Sequence, residues 1–191
     1  MFRKYVMDET HRELWNNYLD MKQTMTVLRY EIWKNYELFE PQWWFIIITT
    51  LTTIIIWWKL LDKKRLLEIL VFGFFITTST VIADGIGNQL IAWEYTTKIY
   101  PMLYPLLAIN LITLPLVYTL IYQYFTKWKL YAMMIIIASA VFSFIFEPLL
   151  VFVGIYEMYY WKYYYSFPIY ILIGLFNKWL TQAVINKQNK T

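Results

Sequence analysis

Three carboxylic acids stand inside otherwise apolar stretches of this chain: Glu68, Asp84 and Glu147. An ionisable side chain in a long apolar segment is costly to bury and is by default a candidate for function. A carboxyl group held protonated there can donate or relay a proton, and an ionised one can bind a cation or an amine. Glu68 has a simple structural account. It follows Lys63-Lys64-Arg65 in the first turn of an expected helix, where a negative charge suits the helix dipole and can pair with those bases. Asp84 and Glu147 have no such neighbours and are the candidates for catalytic or binding chemistry. Each belongs to a stripe of small polar residues: Gly73, Thr77, Thr80, Asp84 and Asn88 in one segment, Ser139, Ser143, Glu147 and then Gly154 in another. Spacings of three and four put each stripe on one helix face, and such faces let membrane helices approach closely.

Asp84 lies 16 residues beyond Glu68 and Glu147 lies 18 beyond Lys129, so both acids are expected at similar depth. Asn110 and Tyr170, on two further apolar segments, reach the same level from the opposite direction, and nearby loops add Trp93, Glu94, Tyr95, Tyr156, Glu157, Trp161 and Lys162. The expected binding set is Asp84, Asn88, Trp93, Tyr95, Asn110, Glu147, Trp161 and Tyr170, a pocket with acids at its floor and aromatic walls. The competing structural account makes Asp84 and Glu147 helix cross-links, with Glu147 serving the kink at Pro148, and most aromatic residues an interfacial belt.

The absences narrow the chemistry. The chain has no cysteine and one histidine, His11, in its polar N-terminal part. Thiolate and histidine-cluster metal sites and Ser-His-Asp catalysis in the apolar body are thereby excluded. No Gly-rich phosphate loop, HExxH, GxSxG or Asp-rich magnesium motif is present. No cofactor and no metal are expected, and any catalysis is metal-free acid–base work.

The elements that must position these residues follow from composition. Of 191 residues, 60% are hydrophobic and 16% charged, against roughly 25% charged in an ordinary soluble domain. Residues 1–40 hold 13 of the 30 charged side chains, six basic and seven acidic. The pattern predicts an all-α polytopic membrane protein: an amphipathic segment over 1–41, a five-helix transmembrane domain over 42–185 and a polar tail over 186–191. The apolar runs are 43–58, 66–89, 102–125 (with Pro105 and Pro115), 130–154 (with Pro148) and 167–183 (with Pro168). They are continuous rather than alternating, which excludes a closed β-barrel. The first long apolar run begins too late for a cleavable signal peptide, and no internal repeat is evident in the sequence. The turns on one side carry nine basic residues (Lys59, Lys63, Lys64, Arg65, Lys127, Lys129, Lys178, Lys187 and Lys190), and the opposite side carries Lys98 and Lys162. The positive-inside rule makes the basic side, and the C-terminus, cytoplasmic. The net charge of +4 reflects this topology, and no nucleic-acid partner is expected.

Residues 8–38 are expected to form one helix, opened by a capping box at Thr10 and Glu13. Leu14, Tyr18, Met21, Met25, Leu28 and Ile32 form a heptad seam along it. Such a seam either lies on the membrane or the body, or binds a protein partner through residues 14–32.

The phrases WWKLLDKKRLLEILVFG (57–73), LPLVYTLIYQYF (114–125), FSFIFEPLLVFVGIYE (142–157) and WKYYYSFPIYILIG (161–174) resemble a family of small multi-pass membrane proteins of Gram-positive endospore-forming bacteria. The resemblance covers most of 40–180 and implies a plasma-membrane location, with no assigned activity. Asp84, Trp93, Tyr95, Glu147, Trp161, Lys162, Ser166 and Pro168 fall in the phrases it shares. Three functions are expected from these readings: binding or sensing a lipid or other amphiphile in an outer-facing pocket, membrane-embedded acid–base catalysis on an apolar substrate, or a structural role through the N-terminal helix.

Overall fold

A computed structural model describes residues 7–103 and 107–188. Helix α1 (Glu9–Ile32) runs into a π-helical turn, Trp33–Glu37, and α2 spans Pro41–Leu60. A 3-10 turn at Lys63–Arg65 opens α3 (Leu66–Gln89), which is followed by a short strand β1 (Trp93–Tyr95). A π-helical segment, Leu107–Thr113, leads into α4 (Leu114–Tyr124). Helix α5 (Trp128–Val141) continues through a third π segment, Phe142–Phe146, into α6 (Glu147–Val153), and strand β2 (Tyr156–Met158) and α7 (Tyr163–Gln188) complete the chain.

Among the described residues four helical stretches are long and apolar enough to cross a membrane: Pro41–Leu60, Lys63–Gln89, Trp128–Val153 and Tyr163–Lys187. The third expected span is a shorter apolar helix, Ala108–Tyr124. It nevertheless reaches both ends of the bundle. Its start accepts the Thr80 hydroxyl at the Asn110 carbonyl (2.8 Å), and Gln123 near its end binds the Leu60 carbonyl (2.8 Å) and the Asp62 N–H (3.1 Å). Pro105 lies outside the described residues. The fold is thus an all-α, polytopic bundle.

Each π segment ends two to four residues before a proline: Glu37 before Pro41, Thr113 before Pro115 and Phe146 before Pro148. Pro115 and Pro148 stand inside continuous helix, where the ring collides with the carbonyl four residues back and a widened turn makes room for it; Pro41 is the first residue of α2, where the missing N–H costs nothing. The expected capping box is corrected here. The N-cap of α1 is Asp8, whose Oδ1 accepts the His11 N–H at 2.8 Å, and Thr10 lies within the helix. No residue of α1 is buried. Only the turn after it docks, through buried Glu37. Glu37 pairs with Arg29 (Nη2–Oε2 2.9 Å) and accepts the Lys98 N–H (3.0 Å), while the Trp33 indole donates to the Lys98 carbonyl (3.1 Å).

The basic end of the bundle is tightly closed. Arg65 and Tyr122 both donate to Glu68, at 2.8 and 2.6 Å. Lys178 departs from expectation. It lies inside α7, within the run expected over 167–183, but is 1% exposed rather than a surface charge of the basic side. Its ammonium donates to the Phe125 and Thr126 carbonyls (3.2 and 2.8 Å), just past the end of α4, and lies 4.0 Å from the Tyr131 ring centroid and 5.2 Å from that of Trp128. A cation there answers the negative end of the α4 dipole and the aromatic quadrupoles together. Lys178→Met keeps the apolar stem and removes only the charge. It is expected to lower stability by about 2 kcal/mol, the scale of hydrogen bonds to a charged donor, read as a lower thermal unfolding midpoint in detergent. An unchanged midpoint would mean that the ammonium contributes nothing net.

Candidate functional site

Helix α3 and the α5–α6 rod end at the same pole of the bundle, and each delivers its acid there by the same local construction. After Asp84, α3 closes with paired bonds, Ala92 N–H to the Gly87 carbonyl (2.9 Å) and Ile91 N–H to that of Asn88 (3.0 Å). After Glu147, α6 closes with Ile155 N–H to Leu150 (2.9 Å) and Gly154 N–H to Val151 (3.0 Å). Both are Schellman turns. The left-handed residue is Ile91 (φ 54°) in one and Gly154 (φ 77°) in the other, and each stands seven residues after its acid. Gly154 suits that conformation, whereas a β-branched Ile91 is strained in it. Gly154 therefore ends a helix rather than extending the stripe that contains Ser143.

The chain then enters a two-stranded antiparallel ribbon in which Trp93 faces Met158, Glu94 faces Glu157 and Tyr95 faces Tyr156. The pairing is symmetric about the two glutamates, so acid, turn and strand repeat in register although the residues differ. Like charges directly opposite in a ladder repel. Glu94 is compensated: Lys98 Nζ lies 3.1 Å away, Asn88 Nδ2 donates at 3.0 Å and the Tyr95 N–H at 2.8 Å. Burial raises its pKa, but these partners outweigh burial and hold the carboxyl below its ordinary value.

The ribbon carries the donors to Asp84, and α7 those to Glu147. Asp84 Oδ1 accepts from the Trp93 indole (3.1 Å) and the Tyr95 hydroxyl (2.6 Å). Glu147 Oε1 accepts from Tyr170 (2.7 Å) and Oε2 from Ser166 (3.0 Å), whose own oxygen accepts the Trp161 indole N–H (2.8 Å). The Trp93 and Trp161 rings meet edge to face at 4.8 Å, joining the two clusters. Tyr95 and Tyr156 stack at 5.3 Å. Burial first, and the nearby carboxylates next, push both phenols well above their ordinary pKa, so Tyr95 remains a proton-bearing donor to Asp84.

These groups line a cavity of about 390 Å³. Seven of the eight expected binding residues lie on its wall: Asp84, Trp93, Tyr95, Asn110, Glu147, Trp161 and Tyr170. The eighth, Asn88, does not reach it and instead holds the turn through the Trp93 carbonyl (3.3 Å) and Glu94. Most of the remaining wall is apolar, from Phe45, Ile46, Ala83, Ala108, Leu150 and Ile169 among others. The Asn110 amide approaches the Asp84 carboxyl as a donor, but Asp84 Oδ2 and Asn110 Nδ2, both buried, complete no full-length hydrogen bond. Buried polar atoms are almost always paired, and among the described residues these two are exceptions, with Arg29 Nε and Ser143 Oγ. Among the described residues no group of three His, Cys, Asp or Glu side chains gathers to hold a metal ion.

Two positioning residues escaped the sequence reading. A Cβ on Gly87 would stand within the Trp93 ring, so the missing side chain is what lets the indole lie on α3 and reach Asp84. The signal available was a glycine three residues after Asp84, on its face of the helix. Ser166, one turn before Tyr170, was known only through the family phrase.

No protein-family model, curated protein or solved structure matches the chain.

Gly87→Ala is expected to displace Trp93 from Asp84 and lower stability by about 2 kcal/mol, as overpacking does. In a Trp93→Ala background the same change should cost no more than about 0.5 kcal/mol, because the clash is gone. A thermal-unfolding double-mutant cycle reads the difference, and equal costs in the two backgrounds would reject the role given to Gly87.

Proposed function

We propose that this protein binds an amphiphile, with the polar group of the ligand at Asp84 and Asn110 and its apolar part against the cavity wall. The observation that carries the reading is an apolar cavity at one pole of a membrane-type bundle, with two buried, complementary polar atoms left open inside it. Ligand sites are usually mostly apolar, with a few convergent polar groups that fix orientation. At about 390 Å³ the cavity is at the small end of the roughly 300–1,000 Å³ typical of such sites, suited to a head and part of one chain. The basic turns lie at the opposite pole, which supports a cytoplasmic C-terminus and a cavity near the outer face of a bacterial plasma membrane.

Native mass spectrometry of the purified protein beside its Asp84→Asn/Glu147→Gln variant tests this. The parent should carry a small-molecule mass that the folded variant lacks. Equal occupancy in both, or an empty parent beside a variant that merely unfolds, would leave the acids as helix bridges and end the reading.

A second reading rests on α1. Its seam residues Leu14, Tyr18, Met21, Met25, Leu28 and Ile32 are all exposed, which supports a protein partner along residues 14–32. Leu28→Ser/Ile32→Ser should then lower the mass of the assembly extracted in mild detergent without changing its thermal midpoint. An unchanged mass counts against the partner.

A further inference from the structure

We infer that the amphiphile is neutral and carries a hydroxyl head, which donates to Asp84 Oδ2 and accepts from Asn110 Nδ2. This inference rests on the amphiphile reading above and narrows it. Asp84 is 6% exposed and Asn110 8% exposed, and each presents one unpaired atom. The cavity wall therefore presents one acceptor and, facing it, one donor. A hydroxyl offers one donor and two acceptor lone pairs and satisfies both atoms at once. An ammonium head offers donors only and leaves the Asn110 amide bare. An ether or ester oxygen accepts only and leaves Asp84 Oδ2 bare.

Charge excludes the anionic heads. No lysine, arginine or histidine lies on the described cavity wall, whereas two carboxyl groups do. The nearby cation, Lys98, is engaged by Glu94. A phosphate or carboxylate head would enter an acidic site with no counter-charge, which a desolvated anion does not tolerate.

The route of entry is also apolar. Phe45 on α2, Ile86 and Leu90 on α3, and Phe146 and Leu149 around α6 line the cavity and are exposed on the outer surface of the bundle. Each belongs to or borders a segment able to cross the bilayer. A chain can pass between these side chains into lipid while the head stays at Asp84.

The test uses the full chain in amphipol and matched C12 probes: dodecanol, dodecylamine, dodecyl methyl ether and dodecane, with retention read by native mass spectrometry. Dodecanol should be retained at least about tenfold better than the other three, on the scale by which an unpaired buried polar group penalises binding. Asn110→Leu, checked for an unchanged thermal midpoint, should reduce that preference to about threefold or less. If Asn110→Leu does not fold, Asn110→Ala serves in its place, because it also removes the amide donor and should also remove the preference. 1-Monolauroylglycerol run alongside separates a glyceride from a simple alcohol, and stronger retention of either over the ether supports the inference. Better retention of dodecylamine, or equal retention of alcohol and ether, overturns the hydroxyl assignment and leaves amphiphile binding standing. Retention of none of the probes overturns the amphiphile reading itself.

Discussion

A carboxyl group in an apolar interior must be met by donors, and much of the architecture at one pole of this bundle follows from meeting two of them. Helix backbones cannot supply those donors, because their N–H groups are committed to their own carbonyls. The chain supplies them from side chains on the elements that follow each acid. For Asp84 they come from the strand after α3, through Trp93 and Tyr95. For Glu147 they come from the start of α7, through Ser166 and Tyr170. The ribbon is thus more than a connection. Three residues per strand would be marginal alone, and the pairing persists because Trp93, Tyr95 and Tyr156 are buried against the helices they follow.

The shared construction around the two acids explains why one cavity forms rather than two separate polar contacts. In each case a Schellman turn reverses the chain seven residues past the acid and aims the following strand back over the helix end. With the strands paired about Glu94 and Glu157, the two helix ends are held a ribbon's width apart, and the cavity lies beneath it. Close approach is needed where the indole crosses α3, at Gly87. The two acids are not equivalent in their saturation. Glu147 has a partner on each oxygen, whereas the short bonds to Asp84, from Trp93 and Tyr95, both fall on Oδ1, and Oδ2 completes no full-length bond. The less saturated acid is therefore the one on the α3 side, and Glu147 with Trp161 forms the opposite wall of the cavity.

The sequence was most informative where helical periodicity determines geometry. Spacings of three and four placed Asp84 with Thr80 on an inward face, and counting residues from the basic turns put Asp84 and Glu147 at a common depth, so seven of the eight candidate residues fall on one wall. The reading was less complete where the geometry comes from turns and non-local contacts. Asn88 lies on the right face but one turn too far, and serves the Schellman turn instead. Strands of three residues give too short an alternation to distinguish from aromatic loops, so the ribbon was not foreseen. Ile91 occupies a left-handed position that its residue type argues against. Lys178 looked like one more topogenic charge, because nothing local in the sequence reveals that the carbonyls at Phe125 and Thr126 and three aromatic rings converge on it.

The two poles differ in what they leave unsatisfied, and that contrast separates scaffold from site. At the basic pole Glu68 is met by Arg65 and Tyr122, Lys178 by two carbonyls and the Tyr131 ring, and Gln123 bridges α4 to the end of α2. Such a fully paired network fixes helix ends and resists sliding of one helix past another. Between the poles the polar contacts are mainly single links, such as Asn177 to Ser79 (3.0 Å) and Tyr118 with Ser139 (3.2 Å), set among apolar rings. At the other pole an acceptor and a donor remain open inside an apolar wall. Those two atoms face each other without a full-length hydrogen bond, and leaving buried polar atoms so carries a cost in stability that the closed basic pole does not bear.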